Sequence, residues 1–253
     1  MLLTTVKGLV LRETPIGEAD KLFDLLTENG VYTVRARGVR KPGSKYAAVT
    51  QCFAYGEFCL RRNKDFFYLD SAAPISLFYG IRNHLDALAL CTYFSELMRK
   101  IATNQPQPQL LRLFLHCLHY LSEQTRPLPQ IQAIFELRLV TELGHMPNLL
   151  CCTLCGEYLP SHLTLRVTYG DFLCKDCTLH SDVSDFHVKS PVLLAARHIV
   201  FSDFEKLFLF KLDEKNLSEL CAYSECYVKQ TLDVSCQALR FYHSLTADPN
   251  LSL

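Results

Sequence analysis

The chain has 253 residues, with 26 Lys+Arg against 26 Asp+Glu and 49% hydrophobic residues. Its size suggests two units, and its composition is that of a globular protein with a real core, which excludes disordered and fibrous classes. No run approaches the roughly 18 apolar residues of a membrane span, and the apolar start MLLTTVKGLVLRE is interrupted by Lys7 with no small-residue cleavage site after it, so a cytoplasmic protein without a membrane or signal segment is expected.

The first 75 or so residues read as five short strands. TVKGLVLRE (5–13) and DKLFDLLTE (20–28) come first, then VYTVRARG (31–38), which alternates Val31, Thr33 and Arg35 with Tyr32, Val34 and Ala36. Gly30 between the second and third is a hairpin signal. CFAYGEFCLRR (52–62) and DFFYLDSA (65–72) make a further pair. Five strands cannot bury both faces as a flat sheet, so closure into a small OB-like barrel is predicted.

From Pro74 the period changes. HLDALALCTYFSELMRKIA places Leu90, Phe94, Leu97, Met98 and Ile101 on one helical face, LLRLFLHCLHYLSE follows, and IQAIFELRLVTELG ends at a C-cap signal, Gly144. Ser190-Pro191 reads as an N-cap and N1 pair, and residues 216–245 read as a long helical tail. The predicted class is α+β: an OB-fold barrel over 1–78, then a helical domain over 79–253 carrying a small insert at 149–180.

That insert holds two C-x-x-C pairs, Cys152 with Cys155 and Cys174 with Cys177, 18 residues apart. The spacing is that of a four-thiolate zinc ribbon, because two thiolates on each of two tight turns complete a tetrahedron at about 2.3 Å per bond. Four cysteines leave no open position for water, so one structural zinc ion is expected. Cys151 reads as a bystander, and His162 and His180 as exposed polar residues. The other cysteines lie in apolar segments, where burial as small hydrophobes is expected.

Charge is uneven along the chain. Residues 1–82 hold 12 Lys+Arg against 8 Asp+Glu, net +4, and the rest is net −4. Within 35–64 stand eight cations, Arg35, Arg37, Arg40, Lys41, Lys45, Arg61, Arg62 and Lys64, against Glu57 alone. Such clustering suits a polyphosphate backbone. Nearby aromatics offer stacking platforms; Tyr32, Tyr46 and Tyr68 are expected to show a face, while Phe53, Phe58, Phe66 and Phe67 are expected in the core. Catalysis finds little support. In GVRKPGSK the lysine and hydroxyl of a phosphate loop are swapped and no βαβ unit surrounds it; neither H-x-E nor G-x-S-x-G occurs. A non-enzyme is expected.

The stretch VLRETPIGEADKLFDLLTENGVYTVRARGVRKPGSK, with Arg12, Gly17-Glu18, Asp20, Gly30 and its basic loop, resembles the barrel signature of the bacterial RecO family of DNA repair proteins. FELRLVTELGHMPNLLCCTLCG followed by FLCKDC is similar to that family's helix and zinc insert. The resemblance implies a recombination mediator that binds single- and double-stranded DNA and anneals complementary strands. It also implies engagement of the tail of single-strand-binding protein and action with RecR to load RecA, in a nucleoid-associated setting. On this chain Arg35, Arg37, Arg40, Lys41, Lys45, Arg61, Arg62 and Lys64 would track phosphates. The partner tail is acidic and apolar; Arg138 is the candidate receptor, with an i,i+4 pair to Glu142 as the alternative reading. Two other classes stay open: an adaptor whose barrel only scaffolds, and an RNA-directed binder.

Overall fold

The computed structural model describes residues 3–63, 66–101 and 105–247. They form two compact units, Met1–Glu123 with Cys236–Leu253, and Gln124–Ser235. The change from strand to helix near residue 78 is thus not where the compact units divide, because the first two helices and the last one group with the strands.

In the first unit, β1 (Leu3–Ile16), β2 (Asp20–Thr27), β3 (Gly30–Ala36), β4 (Tyr55–Asn63) and β5 (Phe66–Ser76) close into a barrel in the order β1-β2-β3-β5-β4. A parallel pairing of β3 with β5, Val34 opposite Phe67 and Arg35 opposite Tyr68, supplies the closure. Alternation decides which side faces in. Val34 and Ala36 of β3 are buried and Thr33 is exposed, and Val10, Phe23, Leu25, Phe58 and Leu60 fill the interior with them. Each Val, Leu or Phe among them contributes roughly 1.5–3 kcal/mol when fully buried. Tyr32 departs from expectation: it packs against the core, its ring stacked on Phe67 at 4.6 Å. Phe66, expected inside, is 51% exposed, since the pleat that sends Phe67 inward turns its neighbour out.

Residues 37–54 cross from β3 to β4 as successive turns. The loop is no free flap, because Val39 and Val49 are only 2% and 1% exposed within the barrel core. The Arg40 N–H donates to the Ala19 carbonyl at 2.9 Å. Helix α1 (Leu85–Ile101) packs on β1 and bonds to the barrel twice: the Ser95 hydroxyl donates to the Leu11 carbonyl, and Arg99 Nε donates to Asp24 at 2.7 Å. α2 (Pro108–Glu123) buries Leu110, Leu111, Phe114 and Leu118.

In the second unit α3 (Leu128–Glu142) is buried on every side along most of its length and packs against α4 (Ser190–Phe201) and α5 (Glu214–Leu232). Between α3 and α4 lies a three-stranded antiparallel sheet of order β7-β6-β8: β6 (His162–Arg166), β7 (Asp171–Cys174) and β8 (Phe186–Lys189). The expected hairpin is β6–β7, and β8 extends the sheet beyond residue 180. Ser190 does not cap α4. The chain passes straight from β8 into the helix, Lys189 takes the cap position, and the Ser190 hydroxyl instead donates to the Pro160 carbonyl at 2.8 Å. The long tail is two helices. Asp233 adopts a left-handed conformation, φ 48°, which ends α5, and α6 (Gln237–Ala247) returns to α1 in the first unit. There Glu96 accepts from the N–H groups of Gln237 and Ala238 and so caps α6.

Candidate nucleic-acid interface and metal centre

Register builds a row across the outside of the barrel. Arg35 of β3 lies opposite Tyr68 of β5, which lies opposite Arg61 of β4. Beyond the end of β3, the Arg37 guanidinium sits over the Tyr68 ring at 5.0 Å. Arg37, Arg61, Asn63, Tyr68 and Leu69 line a shallow cleft of about 170 Å³. In the turns that follow, Arg40, Lys41 and Lys45 are exposed, with Lys45 Nζ 4.9 Å from the Tyr46 ring. Gly38 and Gly43 take positive φ, 66° and 78°, and bend the loop between the cations. Arg62 is exposed on β4, and Lys64 lies outside the described residues.

The eight cations are not equivalent. Arg35 donates from Nε and Nη2 to Asp20 Oδ2, at 3.2 and 2.8 Å, and Arg61 donates to Asp70 at 2.8 Å. Both acids lie outside the sequence window that made the loop look free of carboxylates. Arg37, Arg40, Lys41, Lys45 and Arg62 have no carboxylate within ion-pair distance among the described residues; Arg40 instead donates to the Gly17 carbonyl at 2.8 Å. The available positive charge is therefore concentrated on the loop and the end of β4.

Asp20 does two jobs, because its second oxygen accepts from the Gly38 N–H at 2.9 Å and fixes where the loop leaves β3. That backbone bond, then the Arg35 guanidinium, holds its carboxyl below the ordinary value. A depressed carboxyl stabilises the fold above the unfolded value of about 4 and stops doing so as pH falls through its native value. Asp20→Asn should therefore lower the melting temperature at neutral pH, and the gap to wild type should close on acidification, as read by thermal melts across pH. The same change frees Arg35 and should raise affinity for a polyanion; an unchanged or weaker grip would show that Arg35 faces elsewhere.

The second cluster is the cysteine set. Sγ atoms of Cys152, Cys155, Cys174 and Cys177 all lie within 4.8 Å of one another. A tetrahedron with bonds of about 2.3 Å has edges of about 3.8 Å, and Cys155 and Cys174 stand 3.6 Å apart. Two tight turns aim them. The Gly156 N–H donates to the Cys152 carbonyl at 2.9 Å with Gly156 at φ 80°, and Cys174 ends β7 just before a one-turn 3₁₀ segment carrying Cys177. Burial works against charge at Cys152, yet the N–H groups of Cys155, Cys174 and Leu154 outweigh it and bring this thiol down to about 6. At Cys177, hydrogen bonding with Cys174 and Cys155 pushes the thiol up. Cys174 is pushed up as well, and four thiol sulfurs at this spacing are a donor set that a soft cation would complete. Cys151 stands outside the cluster, as expected.

Two arginines of the second unit have structural roles, and the sequence reading missed one of them. Arg197 of α4 is 6% exposed and donates to the carbonyls of Leu149, Leu150 and Tyr158, so it grips the segment that presents Cys152 and Cys155. Nothing in its helical context marked it. Arg138 of α3 pairs with Glu142 at 2.6 Å, and its Nη1 reaches the carbonyls of Ile199, Val200 and Ser202 at the end of α4. The Phe204 ring lies 4.7 Å below the guanidinium. The i,i+4 pair is present, and the donors are directed into the unit. Arg138→Ala should cost about 2 kcal/mol of stability, the scale of a half-buried carboxylate and a helix end left without their donor. Chemical denaturation checks this; a stable variant that loses only a partner peptide would make Arg138 a receptor instead.

The family description "Recombination protein O N terminal" matches residues 1–78 and "Recombination protein O C terminal" matches 82–239. Curated relatives similar to this chain carry the name DNA repair protein RecO. That of Acetivibrio thermocellus is 33% identical over 240 residues, 94% of this chain and 95% of the relative. That of Bacillus subtilis is 29% identical over 253 residues, 99% and 98% of the two chains. That of Exiguobacterium sibiricum is 34% identical over 205 residues, 79% and 80%. No helix among the described residues is long and apolar enough to cross a membrane.

Proposed function

The chain belongs to the RecO family of DNA repair proteins, and on that premise we propose that it is a recombination mediator. It binds single- and double-stranded DNA through the barrel, anneals complementary strands, and works beside single-strand-binding protein and RecR so that RecA loads. The observation that carries this reading is the set of exposed cations with no carboxylate partner among the described residues: Arg37 over Tyr68, Arg40, Lys41 and Lys45 on the loop that follows, and Arg62 at the end of β4. Annealing needs no activated water. It needs two polyanions held near each other with their repulsion screened, by a binder loose enough for bases to find register.

The cysteine centre fits zinc. Four thiolates with no open position suit a structural ion, whose chemistry is to neutralise their charge and tie two turns together. Cys152 and Cys155 fix the segment that Arg197 grips, and Cys174 and Cys177 fix the end of β7.

A fluorescence assay with complementary oligonucleotides, bare and coated with single-strand-binding protein, tests the mediator reading. Annealing without added nucleotide is expected in both cases; no acceleration would overturn it. An adaptor reading has one observation of its own, the exposed Leu150, Leu154, Tyr158 and Leu159 around the cysteine turn. It would gain if oligonucleotide binding were absent while partner proteins were still captured.

A further inference from the structure

A second electropositive cleft lies wholly within Gln124–Ser235. It has a volume of about 490 Å³ and is lined on its polar side by His162, Thr164, Lys175, His187, Lys189 and Lys215. Strand register explains it. His162 lies opposite Lys189, and Thr164 opposite His187, while the intervening Leu163, Leu165 and Val188 are buried. The turn after β7 adds Lys175, and the first turn of α5 adds Lys215. All three ammonium groups are exposed. Glu219, one turn beyond Lys215, is the one acid in the lining, and among the described residues it forms no ion pair with any of the three. The floor is ordered. Thr164, 2% exposed, bonds His187 Nδ1 at 2.9 Å, and the Thr178 hydroxyl lies 3.2 Å from Thr164 Oγ1 and 3.0 Å from the Cys174 carbonyl.

We propose that this cleft is a second phosphate-backbone site, which holds a further nucleic-acid strand; the inference rests on the strand-annealing reading and adds a site to it. Three cations from separate segments converge here although residues 83–253 are net negative as a whole. Ammonium groups, imidazoles and hydroxyls are donors suited to phosphate oxygens. Three ammonium groups against one carboxylate in the lining favour a polyanion as the occupant. A binder with one strand on the barrel and another here brings two polyanions onto one molecule, which is the requirement for annealing.

The test is the full chain carrying Lys175→Glu, Lys189→Glu and Lys215→Glu, with circular dichroism and metal content confirming its fold. Affinity for a first labelled single-stranded oligonucleotide should stay within about twofold of wild type, while annealing of its complement slows about tenfold or more, as expected for losing three phosphate contacts. Bromodeoxyuridine-substituted oligonucleotide should crosslink wild type, and not the variant, at peptides spanning residues 162–189. Wild-type annealing and crosslinking in the variant would overturn the cleft while leaving the mediator reading intact. A wild-type protein that binds no oligonucleotide would overturn that reading itself. Loss of binding to a synthetic acidic peptide, with annealing intact, would assign the cleft to a protein partner and overturn the proposal.

Discussion

Replacing Cys152 and Cys155 together by serine, or extracting the ion with a strong chelator, should unfold the β6–β8 sheet and leave the barrel unit folded. The sheet is small, with three strands of five, four and four residues. Its buried residues, chiefly Leu163, Leu165, Phe172 and Val188, contribute only a few kcal/mol each at most. Metal binding at a four-thiolate site contributes on the order of 10 kcal/mol, as much as the whole apolar contribution of the sheet, so losing the ion removes about half of what holds it. Four thiols within 4.8 Å of one another without a cation would be crowded. Limited proteolysis should show new cuts within residues 150–189 first, with the barrel fragment persisting, and elemental analysis should return one zinc per chain. An unchanged digestion pattern after complete metal loss would mean that Arg197 and the sheet's own bonds suffice.

Reversing Arg37, Arg40 and Lys41 to Glu should lower affinity for mixed-sequence oligonucleotides by on the order of 100-fold at 0.1 M salt and reduce the slope of log affinity against log salt by about three. These three are exposed and none has a carboxylate partner among the described residues; Arg40 does lose its bond to the Gly17 carbonyl, so a thermal melt of the variant accompanies the binding measurement. Arg35→Gln is the matched control. Arg35 is paired with Asp20, so its loss should alter stability more than salt slope. If Arg35→Gln matched the triple change in slope, the ion pair would have to open on binding. If the triple change left affinity intact, the barrel would not be the primary strand site.

Much of this architecture was legible because its signals are local. Alternation in VYTVRARG, the hairpin at Gly30 and the paired C-x-x-C turns each carry their geometry within a few residues, and the barrel and the thiol cluster follow from them. What escaped depends on partners distant in sequence. Asp20 and Asp70 neutralise Arg35 and Arg61 across strand pairs, so counting charges within one window overstated the free cations. Tyr32 and Phe66 exchanged expected roles because strand parity, and not the polarity of one hydroxyl, decides which ring faces the interior. The long tail divided because one left-handed residue, Asp233, turns the chain, and α6 is claimed by α1, more than a hundred residues upstream. Arg197 gave no signal at all: a lone arginine on an apolar helix becomes informative only once the carbonyls of 149, 150 and 158 are seen to converge on it.

Because α6 returns to the first unit, Gln124–Ser235 is spliced into that unit through two covalent crossings instead of following it. A stop codon placed just after Ser235 would therefore damage the amino-terminal half of the protein. It strips the cover from α1 and leaves Glu96 without the amides it receives, while the cysteine-bearing half keeps every residue it owns. A single protease nick near Gln124 should have the opposite character, leaving both pieces associated through the α1–α6 contact under native conditions.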